Sequence, residues 1–186
     1  MKVIGPVAAW ILILTGCTVD QGNEEPDSAT DEIAAVDRIV ACELVPGSDV
    51  EDIMGLPIQE ARAEEYEDSF NSGSQPRYMS SCTYIAEAGQ AVRTATIQVA
   101  RAPEVTDPGA ELQRYEDGLQ EFGDVDIAPV PDLGPGAGWH AAVEQLSVYR
   151  PGWRIMASVD QRGAIPGLEG AKLLASRMLE RLPESP

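Results

Sequence analysis

The sequence is poor in the side chains on which most metal sites and nucleophilic catalytic sites depend. It holds one histidine, His140, and three cysteines in 186 residues. A structural zinc site usually takes four cysteine or histidine ligands. A Ser–His–Asp site needs a histidine placed between a nucleophile and an acid, and no Gly-x-Ser-x-Gly motif is present. We therefore expect no metal, no cofactor and no enzymatic activity.

Positive charge is also scarce. The chain has 13 lysine and arginine residues against 31 aspartate and glutamate residues, which gives a formal net charge of −18 at pH 7. Nucleic acids and anionic bilayer surfaces repel a chain with this balance. We therefore expect no nucleic-acid partner. The excess of acids is typical of a solvated acidic surface and identifies no partner by itself.

Phosphate-binding and calcium-binding loops are missing as well. The glycine-rich segment Gly134–Gly138 lacks the Lys-Ser/Thr that completes a phosphate loop, and it precedes a predicted strand rather than a helix. No Asp-x-Asp-x-Asp-Gly pattern occurs. The glycine-rich segment therefore predicts a turn that needs unusual backbone angles.

One apolar run stands out, from Val3 to Leu14, and it contains no charged residue. As a helix these residues span about 18 Å, which is short of the ~30 Å hydrocarbon core of a bilayer. Lys2 precedes the run, and small residues and Cys17 follow it. This arrangement is typical of a secretory signal peptide, so we expect residues 1–16 to be removed.

The residues Leu14-Thr15-Gly16-Cys17 resemble the lipobox of bacterial lipoproteins. The resemblance implies that the Cys17 thiol is acylated, that cleavage precedes it, and that the new terminus anchors the protein to a membrane. Stable anchoring needs more than one acyl chain, and the lipoprotein pathway supplies several. Thr18, rather than aspartate, follows the cysteine. In a Gram-negative host this implies the outer membrane facing the periplasm; otherwise it implies the outer face of the cell membrane.

Two cysteines, Cys42 and Cys82, remain once Cys17 is assigned to the lipid. Disulfides form and persist outside the cytoplasm, so we expect a structural disulfide between them. A metal site and a reactive thiol are the alternatives. Loop-closure entropy assigns such a bond about 4 kcal/mol of stability.

Residues 17–34 contain the predicted lipidated cysteine and an acidic segment with almost no bulky apolar side chain. Such a segment cannot bury enough surface to offset the entropy lost on ordering. We expect a disordered tether with a reach of roughly 20–25 Å. A single folded domain is expected over residues 35–183.

The first part of this domain shows helix and loop signals. A capping box of Ser48 and Glu51 predicts a short helix that reaches Met54 and ends at Gly55. Residues 59–77 are acidic and then rich in serine, glycine and proline. They predict a long surface loop.

The rest of the chain alternates strand and helix patterns. Helices are predicted from Pro108 to Phe122, with Gly123 as the stop, and from Leu168 to Leu182. Adjacent antiparallel strands with segregated helices predict an α+β fold, an antiparallel sheet with helices packed mainly on one face. Strands are predicted from alternation at Cys82–Ala86, Arg93–Arg101, Val125–Ile127, Trp139–Val143, Leu146–Tyr149 and Trp153–Val159.

The order of several motifs resembles small uncharacterised cell-envelope lipoproteins, best represented in actinobacteria. These motifs are Cys42-Glu43-Leu44, Cys82-Thr83-Tyr84 and the glycine-rich segment before Trp139. The resemblance covers most of residues 42–182 and brings no catalytic residues. It implies a fold of the PsbP-like α/β/α sandwich type.

Trp139 and Trp153 are the candidate binding residues, together with His140 beside the first of them. Both tryptophans follow glycines and begin predicted strands, which would let them meet across the sheet. Packing in the core or at an edge is the preferred interpretation, since Trp153 shares its alternation with Ile155. A shallow ligand or partner surface is the alternative.

Together these patterns predict a membrane-anchored extracytoplasmic lipoprotein. Its small α+β domain would serve in binding or scaffolding within the cell envelope, with another envelope protein as partner. Two alternatives remain open. One is a carboxylate-dependent enzyme acting on envelope polymers through acid pairs such as Glu64 and Glu65. The other is a secreted inhibitor or sensor domain.

Overall fold

The computed structural model describes residues 39–68, 77–89, 91–121, 123, 125–160 and 166–183. The predicted signal peptide at 1–16 and the predicted tether at 17–34, including Cys17, lie outside these residues. The helices of the described part are α1 (Ala41–Leu44), α2 (Gly47–Met54), α3 (Pro108–Gln120) and α4 (Gly167–Arg181). Its strands are β1 (Ile58–Asp68), β2 (Arg77–Ala88), β3 (Ala91–Ala102), β4 (Ile127–Pro129), β5 (Ala137–His140), β6 (Gln145–Arg150) and β7 (Gly152–Val159).

The described strands form one antiparallel sheet in the order β1-β2-β3-β7-β6-β5-β4. The α+β prediction is therefore confirmed. The two predicted strand groups are joined through β3 and β7, whose register runs from Ala95 opposite Val159 to Ala102 opposite Gly152. This pairing makes a single continuous sheet from segments that are far apart along the chain.

The main hydrophobic core lies on one face of this sheet. Inward strand residues pack there against α1, α2 and α4, and α4 contributes the buried side chains of Leu174 and Met178. Fully buried strand residues of this face are Tyr84, Ile97, Leu146, Val148 and Ile155.

The opposite face carries α3, over β5 and β6. Tyr149 follows the core residue Val148 and so projects to the other side of the sheet, where it packs with Leu112 and Tyr115. Helices therefore lie mainly on one face, as predicted. None of the described helices combines the length and the apolar character that crossing a membrane requires.

The predicted capping box is wrong. Helix α2 begins at Gly47 with Pro46 as its N-cap, and no side chain caps it. Instead, Glu51 Oε1 accepts a hydrogen bond from the backbone N–H of Ile58 at 2.9 Å. The cause is the left-handed backbone of Gly55 (φ 66°), which ends the helix as predicted and turns the chain back past Glu51.

The predicted loop at 59–77 is also wrong where the structure describes it. Residues 58–68 form β1, which pairs with β2 from Ile58 opposite Ala86 to Asp68 opposite Arg77. The side chains from Gln59 to Tyr66 are exposed on both faces of the strand. Their charges suit an edge strand, because they discourage pairing with other chains. Residues 69–76 lie outside the described part.

Helix α3 begins as its sequence predicts. Asp107 Oδ1 accepts from the backbone N–H groups of Gly109 and Ala110, each at 3.1 Å, with Pro108 in the first turn. The predicted inner stripe, represented by Leu112 and Tyr115, is only half-buried. The reason is that α3 packs mainly against β5 and β6 and covers only part of the sheet.

The end of α4 is tied to the start of the domain. The Arg181 guanidinium donates to the carbonyl of Leu44 at 2.6 Å and to the carboxylate of Asp49 at 2.5 Å. Nearby, the buried Tyr84 hydroxyl donates to the carbonyl of Val45. These bonds connect α1 and α2 to both the sheet and the last helix.

Because the Tyr84 hydroxyl is buried, we expect the free energy of unfolding to fall at alkaline pH. Burial, reinforced by the charge of Asp49, raises its pKa to about 12. An unfolded tyrosine ionises near pH 10, so the stabilisation is complete below pH 10 and is lost as pH rises toward about 12. We expect the free energy of unfolding to fall by up to about 1.4 kcal/mol per pH unit in this window.

Denaturant unfolding at pH 9, 10 and 11 measures this slope. Tyr84→Phe is the control, because it removes the ionising group and keeps the ring. The variant should show a shallower decline between pH 10 and 11 than the wild type. An identical decline in both proteins would contradict the assignment to Tyr84.

Candidate binding cleft

The candidate site begins at the hairpin that joins β6 to β7. Pro151 and Gly152 form its turn, and Gly152 has a φ of 75°, which favours glycine. Arg150 lies opposite Trp153 across this hairpin, and Arg101 of β3 lies opposite Trp153 on the other side. Cross-strand partners share a face, so the three side chains form a row of arginine, tryptophan and arginine.

Trp153 is the centre of this row. Its side chain is 3% exposed, and the guanidinium carbon of Arg101 lies 4.1 Å from the ring centroid. This distance is that of a cation–π contact. The indole N–H is closed off from solvent and has no hydrogen-bond partner among the described residues. An unsatisfied buried donor costs about 1–3 kcal/mol, so this wall of the domain holds a group that an acceptor would stabilise.

A cleft of about 670 Å³ lies between this hairpin and the carboxyl end of α4. Its volume falls in the range of roughly 300–1,000 Å³ that is usual for small-molecule sites. One wall is formed by the hairpin and the other by the end of the helix. The lining residues are Arg150, Pro151, Trp153, Leu179, Glu180, Leu182 and Pro183.

The polar groups of the cleft are mainly donors. Arg150 is exposed and makes no ion pair with any residue that the structure describes. Glu180 is the one carboxylate among the lining residues, and Arg177 pairs with it at 3.3 Å. The carboxyl end of α4 adds a negative partial charge of about half a unit. The full positive charge of the Arg150 guanidinium exceeds that partial charge.

The structure separates the two candidate tryptophans. Both belong to the main core, Trp139 at 7% exposed and Trp153 at 3%, and Trp139 lies opposite Leu146 of β6. Trp153 lies opposite Arg150, four residues further along the same strand, which is about 13 Å at the usual rise of a strand. The two strands also flank β6 on opposite sides. The expectation that the tryptophans meet is wrong, and only Trp153 lines the cleft.

His140 lies on the face of the sheet opposite to the one that carries Trp139. It is 9% exposed and pairs with Ile127 of β4 and Gln145 of β6. Alternation along β5 directs it away from the face of its neighbour Trp139. It therefore lies on the α3 side of the sheet and takes no part in the cleft.

Cys42 and Cys82 form a disulfide with a Cα–Cα distance of 5.1 Å. The disulfide prediction is confirmed, and the bond connects α1 to β2. Within the described ranges, no group of three or more histidine, cysteine, aspartate or glutamate side chains is placed to hold a metal ion.

Two arginines of the row were missed by sequence reasoning. Arg150 could have been found, because the turn Arg150-Pro151-Gly152-Trp153 places its flanking residues opposite each other. Arg101 could not, because its contact with Trp153 depends on β3 pairing with β7.

No protein-family model matches this chain, and no curated protein and no solved structure matches it either. The resemblance to small envelope lipoproteins and the PsbP-like sandwich therefore remain predictions from the sequence.

Proposed function

We propose that this protein is a lipid-anchored extracytoplasmic protein whose α+β domain binds a ligand or partner in the cell envelope and catalyses no reaction. The observation that carries the proposal is the segment Leu14–Cys17, which follows an uncharged run from Val3. Its lipobox pattern supplies both export and attachment. The membrane would be the outer membrane facing the periplasm in a Gram-negative host, and otherwise the cell membrane with the protein on its outer face.

The disulfide between Cys42 and Cys82 supports an extracytoplasmic location. Such bonds persist in oxidising compartments and are rare in the cytosol, where thiols are kept reduced. Cys82 is fully buried in the core, which suits a structural bond rather than a catalytic one. The anchor and the bond thus support the same compartment through independent residues.

The cleft beside Trp153 supports a binding role. It combines a suitable volume with a buried donor and a rim arginine, neither of which has a partner in the part of the chain that the structure describes. These are features of a recognition site. The tether predicted at 17–34 would let the domain move roughly 20–25 Å from the membrane, which is enough to present this cleft to a soluble ligand or an envelope protein.

The alternative function, a carboxylate-dependent enzyme, requires two acidic side chains that face a common site. Glu64 and Glu65 are consecutive residues of β1, so their side chains project to opposite faces of the sheet. That pair therefore gives the alternative no shared site.

Replacement of Cys17 by serine tests the proposal directly. Cells fed a labelled palmitate analogue should label the wild-type protein, and Cys17→Ser should accumulate as an unlabelled, uncleaved or mislocalised precursor. The matched control is Cys42→Ser, which removes a different cysteine and should keep its label. Equal labelling of wild type and Cys17→Ser would contradict the lipobox interpretation.

A further inference from the structure

We propose that the cleft beside Trp153 binds an amphipathic anion, that is, a carboxylate or phosphate group carried on an apolar chain. This inference rests on the binding role proposed above and names the chemical class of its ligand.

The hairpin wall offers donors that lack acceptors. The indole N–H of Trp153 is unpaired, and Arg150 at the rim has no ion-pair partner in the described part of the chain. Indole and guanidinium groups donate and never accept. An anionic headgroup with several acceptor oxygens is the ligand chemistry that satisfies both, and charge-assisted bonds of this type are the stronger kind.

Arg101 makes the same wall positive without occupying the rim. Its guanidinium is stacked 4.1 Å from the Trp153 ring centroid. The stacking holds one ring face and leaves the edge that carries the N–H unpaired. Solvent does not touch that N–H, so a ligand oxygen reaches it when neighbouring side chains move; exposed side chains such as Arg150 change rotamer in picoseconds to nanoseconds.

The helix wall carries apolar side chains beside the carboxylate of Glu180. Leu179, Leu182 and Pro183 line it, and both leucines are only half-buried. A free headgroup such as inorganic phosphate would leave this surface exposed to water. An apolar chain attached to the headgroup would cover it, because removing apolar surface from water is favourable.

The charges around the cleft favour an anion over a cation. The carboxylate of Glu180 is already paired with Arg177, and the partial charge at the end of α4 is about half a unit. The net charge of −18 repels anions at long range. However, that repulsion is screened beyond about 8 Å at physiological ionic strength, so the nearby arginines decide what is bound.

The test uses the full-length protein in nanodiscs of neutral lipid, with empty nanodiscs subtracted. Octyl phosphate and octanoate are the anionic probes, octyltrimethylammonium is the cation of similar chain length, and inorganic phosphate is the headgroup alone. In protein labelled with ¹⁵N-tryptophan, both anions should shift the indole resonance of Trp153 in a saturable manner. The resonance of Trp139 should not move, because that residue does not line the cleft.

Three variants locate the interaction. Arg150→Gln should weaken octyl phosphate binding about tenfold or more, the usual effect of losing a charge-assisted bond. Trp153→Phe keeps an aromatic ring and removes the N–H, so calorimetry should show weaker binding with no lower melting temperature. Arg62→Gln is the matched control, since it makes the same charge change on the exposed strand β1 and should bind as the wild type does.

Several results would overturn the inference. They are no saturable shift with either anion, equal binding of octyltrimethylammonium, equal affinities of Arg150→Gln and Arg62→Gln, and inorganic phosphate binding as tightly as octyl phosphate. The palmitate labelling of Cys17 is independent of all four. A protein that is labelled but binds no anion would keep the anchored-protein proposal and lose only this ligand.

Discussion

Replacement of Trp139 by alanine is expected to lower the free energy of unfolding by about 3–5 kcal/mol, the usual range for truncating a buried aromatic residue. Trp139 belongs to the main core and is 7% exposed. Leu146 lies opposite it on β6 and Ala128 lies opposite it on β4. The short strand β4 cannot easily move in to fill the space, because β5 is its only neighbour in the described sheet.

Chemical denaturation followed by circular dichroism measures this loss. Val143→Ala is the control, because Val143 lies in the turn that follows β5 and is 58% exposed. That substitution should change stability by less than about 0.5 kcal/mol. Equal unfolding curves for Trp139→Ala and the wild type would show that Trp139 does not support the core.

Trp153→Ala provides a second comparison. We expect it also to melt earlier than the wild type, toward the lower end of the same range, because the cleft lets water enter the space that the ring leaves. It should also lose the binding of octyl phosphate. Trp139→Ala, measured at a temperature where it remains folded, should keep that binding, since Trp139 does not line the cleft.

Removal of the disulfide has the second largest expected effect. Cys42 and Cys82 are separated by 40 positions, and the chain-entropy model gives about 4 kcal/mol for a loop of this length. The double substitution Cys42→Ser and Cys82→Ser should lower the unfolding free energy by about that amount. Binding of octyl phosphate at a temperature where the variant is folded should be unchanged, because neither cysteine lines the cleft.

Reductant provides the control for this experiment. Dithiothreitol should destabilise the wild type to the level of the double variant and leave the double variant itself unchanged. Peptide mapping under oxidising conditions should show the two cysteine peptides linked. Two free thiols in protein isolated from the envelope would contradict the bond.

The hairpin of β2 and β3 and the helices α3 and α4 could be predicted from the sequence alone. Their signals are local: alternation through Ile97 and its neighbours, the cap at Asp107, and the apolar stripe through Leu174 and Met178. Strand β3 and helix α4 also bury one face against the main core, so their apolar residues recur with the period of a strand and of a helix.

Strand β1 could not be predicted, because its side chains from Gln59 to Tyr66 bury neither face. These residues are all exposed and half of them are charged, so no alternation of buried and exposed positions marks them as a strand. The backbone ladder with β2 holds the segment in place. The same composition in another context would be a loop, and only the neighbouring strand decides between the two.

In the glycine-rich segment Gly134–Gly138, one glycine has the role that the sequence predicts and two have roles that only the folded structure explains. Gly134 has a φ of 99°, as expected for a turn with unusual backbone angles. Gly136 and Gly138 are required for a different reason. An added Cβ at Gly136 would lie 2.6 Å from the carbonyl oxygen of Tyr149, and one at Gly138 would lie 2.4 Å from the side chain of Ile127. These close approaches arise only after distant segments have packed together.

The sequence by itself determined the cysteine pair and the elements whose signals lie within a few residues of each other. The cleft forms only in the tertiary structure, since Arg101 contacts Trp153 only because β3 pairs with β7. The opposite wall depends on where α4 ends, next to the β6–β7 turn. The physical reason is that propensity and alternation act over neighbouring residues, whereas a binding site brings together side chains from strands and helices that meet only in the folded sheet.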